Sequence, residues 1–300
     1  MPAAPITFFN RPAHRIETEA VYGEGFLRFT YESPLGALPL HALVKRAAFS
    51  RWYGRRMDTP ASRAKIAPFL ATYGVDVSEF ADASDSFRTF NEFFYRKLKP
   101  EARPIALGDD IITLPADGRH LVLPDIANCD NFFIKGTRFD LSALLRDAAL
   151  AARFAHGCML ISRLCPVDYH RFHFPCAGTP GAPRLINGPL YSVSPIALRR
   201  RASIHWENKR EITVLRTHAL GEVLLLEVGA TCVGSIVQTY TPGAAVEKGA
   251  EKGYFRFGGS CFITIFEPGK VQFSDDLIEN SKAGREVYAR MGDVAAHALG

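Results

Sequence analysis

Gly253-Tyr254-Phe255-Arg256-Phe257-Gly258-Gly259-Ser260-Cys261-Phe262-Ile263-Thr264-Ile265-Phe266 decides how this chain is read. An aromatic run enters a Gly-Gly corner, and a serine opens a run of alternating apolar residues. Cys261 to Phe266 predicts a half-buried strand. Glycine admits backbone shapes closed to other residues and lets another group approach closely. The corner therefore puts Ser260 at the mouth of a strand. Taken alone, Gly-Gly-Ser is ordinary turn chemistry, a bulge or a hairpin corner. Whether it is more depends on what lies upstream.

The chain has 300 residues, 47% hydrophobic and 22% charged, enough for one large or two smaller cores. No run of 18 apolar residues predicts a membrane span. The longest candidate, Val223 to Val237, carries Glu227 and two glycines and reads as two strands. Met1-Pro2-Ala3-Ala4-Pro5 lacks the basic-then-apolar pattern of a secretory signal. The six cysteines (129, 158, 165, 176, 232 and 261) form no C-x-x-C pair, which favours free thiols over disulfides or zinc. Formal charge is +5, but Leu40 to Ile66 holds seven basic residues (Lys45, Arg46, Arg51, Arg55, Arg56, Arg63, Lys65) against Asp58 alone. Such a patch is either a solvated helix face or a match for an anionic surface, lipid headgroup or nucleic acid.

Residues 1–36 show little periodicity and read as an arm or short strands. Leu40 to Phe49 predicts a helix with Leu40, Leu43, Val44 and Ala47 on one face. Beside it, Trp52 and Tyr53 mix with Arg51, Arg55 and Arg56 in a way that suits a bilayer headgroup region. Further helices are expected from Pro60 to Tyr73, with Thr59 as cap, and from Ser86 to Leu98. After Pro104 short strands dominate: 111–114, 121–123, 159–162, 212–215, 223–226 and 232–237. A helix from Asp140 to Phe154 interrupts them, and another starts at Ser274-Asp275-Asp276, with acids where the helix dipole favours them. The fold class is α+β: a helical N-terminal segment (1–103) packed on a mainly antiparallel β domain with few helices (104–300).

Three places carry reactive groups. Asp117-Gly118 follows a strand and is also a common turn dipeptide. Cys165-Pro166-Val167-Asp168-Tyr169-His170-Arg171-Phe172-His173-Phe174-Pro175 sets two histidines three apart, pointing to opposite faces in a strand and converging in a turn or helix. A third metal ligand is not visible near them. Ser260 is the third place. A serine, a histidine to take its proton and an aspartate to orient the imidazole are the parts of an activated nucleophile. From spacing alone nothing shows that the three meet.

These segments together resemble the phosphatidylserine decarboxylase family. Asp168 to Pro175 is similar to its D-Y-H-R-x-H-x-P segment. Phe90-Asn91-Glu92-Phe93-Phe94-Tyr95-Arg96-Lys97-Leu98-Lys99-Pro100 with Arg103-Pro104-Ile105, Asp117-Gly118, Asn208-Lys209-Arg210, Val228-Gly229-Ala230, Val233-Gly234-Ser235-Ile236 and Lys248 to Ser260 follow the family order. The resemblance covers roughly 87–275, with one departure, Cys261, where the family usually has Ser or Thr. It implies self-cleavage between Gly259 and Ser260 into a β chain (1–259) and an α chain (260–300), which stay together as a heterodimer. Ser260 would attack the Gly259 carbonyl with His173 as base and Asp117 orienting it. The resulting ester would eliminate, leaving a pyruvoyl group on the α chain as the covalent cofactor, with no metal. That group would form a Schiff base with phosphatidylserine and release carbon dioxide to give phosphatidylethanolamine, with His170 transferring the proton. The implied partners are phosphatidylserine and an anionic membrane surface, with no nucleic acid. The implied location is peripheral, on the cytoplasmic side of a membrane (the cell membrane if bacterial). Arg171 and Arg210 are weaker candidates for phosphate contacts.

Two other readings compete. One is a serine hydrolase that keeps Ser260 intact and uses His173 and Asp117 on an external substrate, although the chain lacks a G-x-S-x-G elbow. The other is a non-enzymatic β module that binds lipid or nucleic acid through its basic helical arm.

Overall fold

The computed structural model describes residues 5–40, 44–128, 139–231, 236–258 and 260–300. Gly259, Cys129, Cys232 and the segment Val233-Gly234-Ser235 lie outside the described residues, as do positions 41–43 of the expected first helix.

The N-terminal third begins with two short strands, β1 (Thr7–Asn10) and β2 (Arg15–Thr18), and five helices follow: α1 (Glu24–Glu32), α2 (Pro34–Pro39), α3 (Ala47–Met57), α4 (Ile66–Tyr73) and α5 (Phe90–Phe94). Three expectations shift here. The basic residues lie on a helix of their own, 47–57, which starts where Arg46 is extended and overlaps the expected 40–49 helix only at its end. Pro60 to Tyr73 divides into a 3-10 turn, Pro60–Lys65, and α4. The third helix shrinks to five residues, started by the Thr89 hydroxyl accepting from the Glu92 amide. What Phe90, Phe93 and Phe94 need is burial rather than a long helix. They pack with Met57, Ile66, Phe69, Phe80, Phe87 and Phe257 into an aromatic core.

The strands that follow are β3 (Ile111–Thr113), β4 (Gly118–Leu123), β5 (Cys158–Leu164), β6 (Arg171–His173), β7 (Thr179–Pro180), β8 (Arg184–Ile186), β9 (Arg210–Arg216), β10 (Glu222–Val228), β11 (Ile236–Gln238), β12 (Glu251–Phe255), β13 (Ser260–Phe266), β14 (Val271–Phe273), β15 (Glu286–Ala289) and β16 (Val294–Ala298). The expected helix 140–154 is two, α6 (Leu141–Leu145) and α7 (Ala148–Phe154), broken where Arg146 turns left-handed at φ 44°. Short helices α8 (Pro195–Leu198) and α9 (Ile204–Glu207) precede β9, and α10 (Asp275–Lys282) starts at the expected acids.

The main sheet runs β2-β1-β15-β4-β5-β13-β10-β9-β7, with β8 also on β9. Its described pairs are antiparallel except β1 with β15. Two three-stranded sheets, β11-β12-β6 and β14-β16-β3, complete it. The mixed, mainly antiparallel α+β class is as expected. The first two strands fall where residues 1–36 read as an arm or short strands, and they belong to the same sheet as the C-terminal strands.

The decisive strand differs from its expectation in one respect. All seven residues of β13 are buried, not every second one. Its period of two survives as a division between two cores: Cys261, Ile263 and Ile265 face one, Phe262 and Phe266 the other. A strand covered on both faces reads as nearly continuous apolar sequence, and Ser260 and Thr264 are its exceptions. Below this strand Lys252 and Glu227, both fully buried, pair at 2.7 Å, with Gln238 bonded to each.

Candidate active site

Ser260 is the first residue of β13 and pairs with Leu164 at the end of β5. The chain after β5 turns back sharply through Cys165-Pro166-Val167-Asp168. Asp168 makes the turn: its carboxylate accepts the Cys165 amide at 2.6 Å, and its own amide donates to the Cys165 carbonyl. Arg119 on β4 holds that carboxylate at 2.6 Å. Burial raises the Asp168 affinity for protons, and Arg119 opposes the rise. The turn delivers His170 to the top of β13.

His170 is fully buried, and its Nδ1 lies 3.5 Å from the Ser260 hydroxyl. Its Nε2 is 2.8 Å from the Cys165 carbonyl. A carbonyl can only accept, so the ring proton sits on Nε2 and the Nδ1 lone pair faces Ser260. The ring stacks on Phe94 at 3.9 Å between centroids. Burial drives its pKa down to about 3, so the imidazole is neutral at physiological pH.

His173, three residues on in β6, points elsewhere, as alternation in a strand requires. Its Nδ1 donates to the Gly249 carbonyl at 3.0 Å. That leaves a buried Nε2 lone pair with no hydrogen-bond partner among the described residues. Burial lowers its pKa, while the charge of Asp117 acts to raise it. Asp117 is buried just before β4. Arg103 grips both its oxygens, at 2.6 Å for the closest, and the Met291 amide donates to it at 2.8 Å. Gly118 follows because a side chain there would meet the Arg163 carbonyl at 2.6 Å.

The expected trio of Asp117, His173 and Ser260 is therefore not in mutual hydrogen-bond contact. Arg103 and a backbone amide occupy Asp117, Gly249 occupies His173, and the imidazole against Ser260 is His170. Cys261 points into the opposite core, and burial pushes its thiol pKa up, which fits packing rather than chemistry. Arg171 binds Glu251, and Arg210 closes the end of α6 by donating to the Ala143 and Leu144 carbonyls. Both are structural. Sequence reading passed over Asp168, Arg119 and Phe94 as site residues. The signals for Asp168 were its place at the head of the D-Y-H-R-x-H-x-P segment and its position three residues after Cys165, where a carboxylate can return to that amide.

Beside Ser260 a cavity of about 380 Å³ opens. Gly258 and Leu164 line it next to the serine, and Tyr22, Phe26, Phe49, Tyr53 and Phe257 make it largely apolar. Glu19 and Arg163, paired at 2.6 Å, supply its buried charges. Phe26, Phe29, Leu35, Leu38 and Trp52 are exposed, Leu35 and Leu38 by more than 75%. Among the described residues no helix is long and apolar enough to cross a membrane.

A family model for phosphatidylserine decarboxylase matches residues 90–296. Proteins named phosphatidylserine decarboxylase proenzyme are similar over nearly the whole chain. The one from Fusobacterium nucleatum is 44% identical over 96% of both chains. That of Chlamydia trachomatis is 44% identical over 97% of both, and that of Clostridium kluyveri 43% over 96% of this chain and 97% of its own. These similarities lend nothing to the hydrolase or to the non-enzymatic module. The aligned stretch runs through both histidines, Asp117 and the Gly-Gly-Ser corner, and the chain belongs to the phosphatidylserine decarboxylase family.

Proposed function

We propose that this chain is a phosphatidylserine decarboxylase made as a proenzyme, which cleaves itself between Gly259 and Ser260 and turns Ser260 into a pyruvoyl group. One observation carries the reading: directly after the glycine pair, a buried serine hydroxyl faces a neutral imidazole whose other nitrogen is committed to a carbonyl. Nothing else in β13 needs a polar group at that point.

Cleavage requires the Ser260 oxygen to attack the Gly259 carbonyl and the peptide nitrogen to leave as the amine of residue 260. This forms an ester. Loss of the Ser260 α-proton expels the Gly259 carboxylate, and water replaces the nitrogen, which departs as ammonia. Asp117 and His173 take the base's part in this step. Supporting them, His173 keeps a buried Nε2 lone pair unshared among the described residues, and the charges of Glu251 and Asp117 partly offset the burial that lowers its pKa. A second reading gives the cleavage step to His170, favoured by its contact with Ser260.

The surroundings of residue 260 fit a carbonyl group in place of the serine side chain: full burial, an imidazole in reach and an adjoining apolar cavity. The pyruvoyl group supplies the electrophilic carbonyl that takes the substrate's amine and accepts the electrons released with carbon dioxide. His170 Nδ1 is the atom that holds and returns a proton there. The cavity takes the start of the lipid's apolar part.

The two products remain one particle. β13 lies between β5 and β10, and β15 between β1 and β4, so the 260–300 piece is flanked by strands of the larger piece on both sides. The exposed Trp52 among the exposed Arg51, Arg55 and Arg56 supports the reading of a peripheral enzyme on the cytoplasmic side of an anionic membrane.

A denaturing gel with intact mass tests the proposal. Fragments 1–259 and 260–300 are expected, the smaller refusing N-terminal sequencing. Ser260→Ala is expected to give one inactive 300-residue chain. An uncleaved wild-type chain that decarboxylates phosphatidylserine would defeat it.

A further inference from the structure

The segment that carries the bond to be cut is held from the helical side of the molecule. Phe257 is buried, and its ring meets Phe90 at 5.1 Å, Phe94 at 5.0 Å and Tyr53 at 5.7 Å between centroids. Its amide donates to the Asn91 side-chain oxygen at 2.9 Å. Asn91 is fully buried. Its amide nitrogen donates to Asp58 at 2.8 Å and to the Gly54 carbonyl at 3.3 Å. Asp58 also pairs with Arg256 at 3.5 Å. One side chain thus ties residue 257 to the end of α3, while Phe94 touches both the tail and His170.

We infer that Asn91 is a positioning residue for self-cleavage. This rests on the self-cleavage reading above. Gly258 and Gly259 are the most freely rotating pair a chain can carry, and Gly258 already sits at φ 133°. Attack by Ser260 needs the Gly259 carbonyl within reach and correctly angled, and a misplacement of an ångström costs on the order of 100-fold in rate. On the C-terminal side β13 fixes the serine. On the N-terminal side the last backbone hydrogen bond before the glycines, among the described residues, is the one the Phe257 amide donates to Asn91. Oxygen toward Phe257 and nitrogen toward Asp58 is the only orientation that satisfies both neighbours, so Asn91 also sets the direction in which the tail leaves the aromatic core.

Cell-free synthesis with a radiolabel pulse and chase follows conversion of the full chain to 1–259 and 260–300. Asn91→Ala is expected to slow conversion at least about tenfold. Asn91→Asp sets two carboxylates against each other and is expected to slow it too. Adding Asp58→Asn exchanges donor and acceptor, and Asn91→Asp/Asp58→Asn is expected to recover most of the rate. Each change is also placed in the Ser260→Ala chain and checked for a cooperative urea transition. Hydroxylamine, which splits esters, separates positioning from later steps. The slowed precursors are expected to resist it, since they are held before attack. Release of fragments by hydroxylamine, wild-type speed in Asn91→Ala, or a folded exchange variant that stays slow would each overturn the inference. If Asn91→Ala fails to fold, the exchange pair carries the decision. A wild-type chain that never converts sinks the underlying reading instead, and this inference with it.

Discussion

Acid should loosen this fold well before its carboxylates are neutralised. His120, His170 and His205 are each at most 1% exposed, and burial lowers their pKa values to about 3, about 3 and about 4. In the unfolded chain a histidine titrates near about 6.5. Below that value the unfolded state binds protons that the folded state refuses. The contribution is therefore intact above about pH 6.5 and lost as pH falls toward the folded values. Between pH 7 and pH 5 each such ring costs about 2 kcal/mol, and the three together about 5–6 kcal/mol, a large share of a typical folding free energy. Glu227 and Asp168, whose burial raises their pKa values, act in the opposite direction. A comparison of variants cancels them. The Ser260→Ala chain, free of the complication of cleavage, is unfolded in urea at pH 7 and pH 5. His120 bonds Ser162 at 2.9 Å and lies across the sheet from the cavity, so His120→Gln can keep a hydrogen bond and remove the titration. Whatever packing it loses is lost equally at both pH values. Its loss between pH 7 and 5 is expected to be smaller than the parent's by about 2 kcal/mol. Identical losses in parent and variant, or a His120 proton resonance that titrates near pH 6, would refute the reasoning.

Two further outcomes follow from the site and the surface. His173→Ala is expected to remain a single chain, while His170→Ala cleaves and then decarboxylates at least about 100-fold more slowly. An uncleaved His170→Ala beside a cleaved His173→Ala would exchange the two roles in favour of the second reading. Replacing the exposed Arg51, Arg55 and Arg56 by Gln should weaken co-sedimentation with anionic vesicles by about 100-fold, on about 1 kcal/mol for each charge. Self-cleavage is expected to be unchanged, and undiminished co-sedimentation would remove the basic segment from membrane binding.

The basic segment from Leu40 to Ile66 was only partly legible. Its charge was plain in the sequence. Its integration was not: Met57 is buried in the aromatic core, and Gly54 and Asp58 hold Asn91. The helix that carries the basic residues also packs against Phe257, and nothing announced this, because contacts made by a few residues at one helix end leave no period in the sequence.

By itself the sequence determined the class of fold, the strands with strong apolar runs, the Gly-Gly-Ser corner and the family. These depend on local patterns and on segments kept in order along the chain. Element lengths were less accessible, since Ser86 to Leu98 is helical for only five residues and 140–154 breaks at Arg146. Only the tertiary structure decided that β13 is covered on both faces, that His170 rather than His173 lies against Ser260, and that Arg103 occupies Asp117. Burial and partner choice are properties of neighbours far apart in sequence. Asp117 meets Arg103 and Met291, Ser260 meets His170, and Phe257 meets Asn91 only once the sheet has closed around β13.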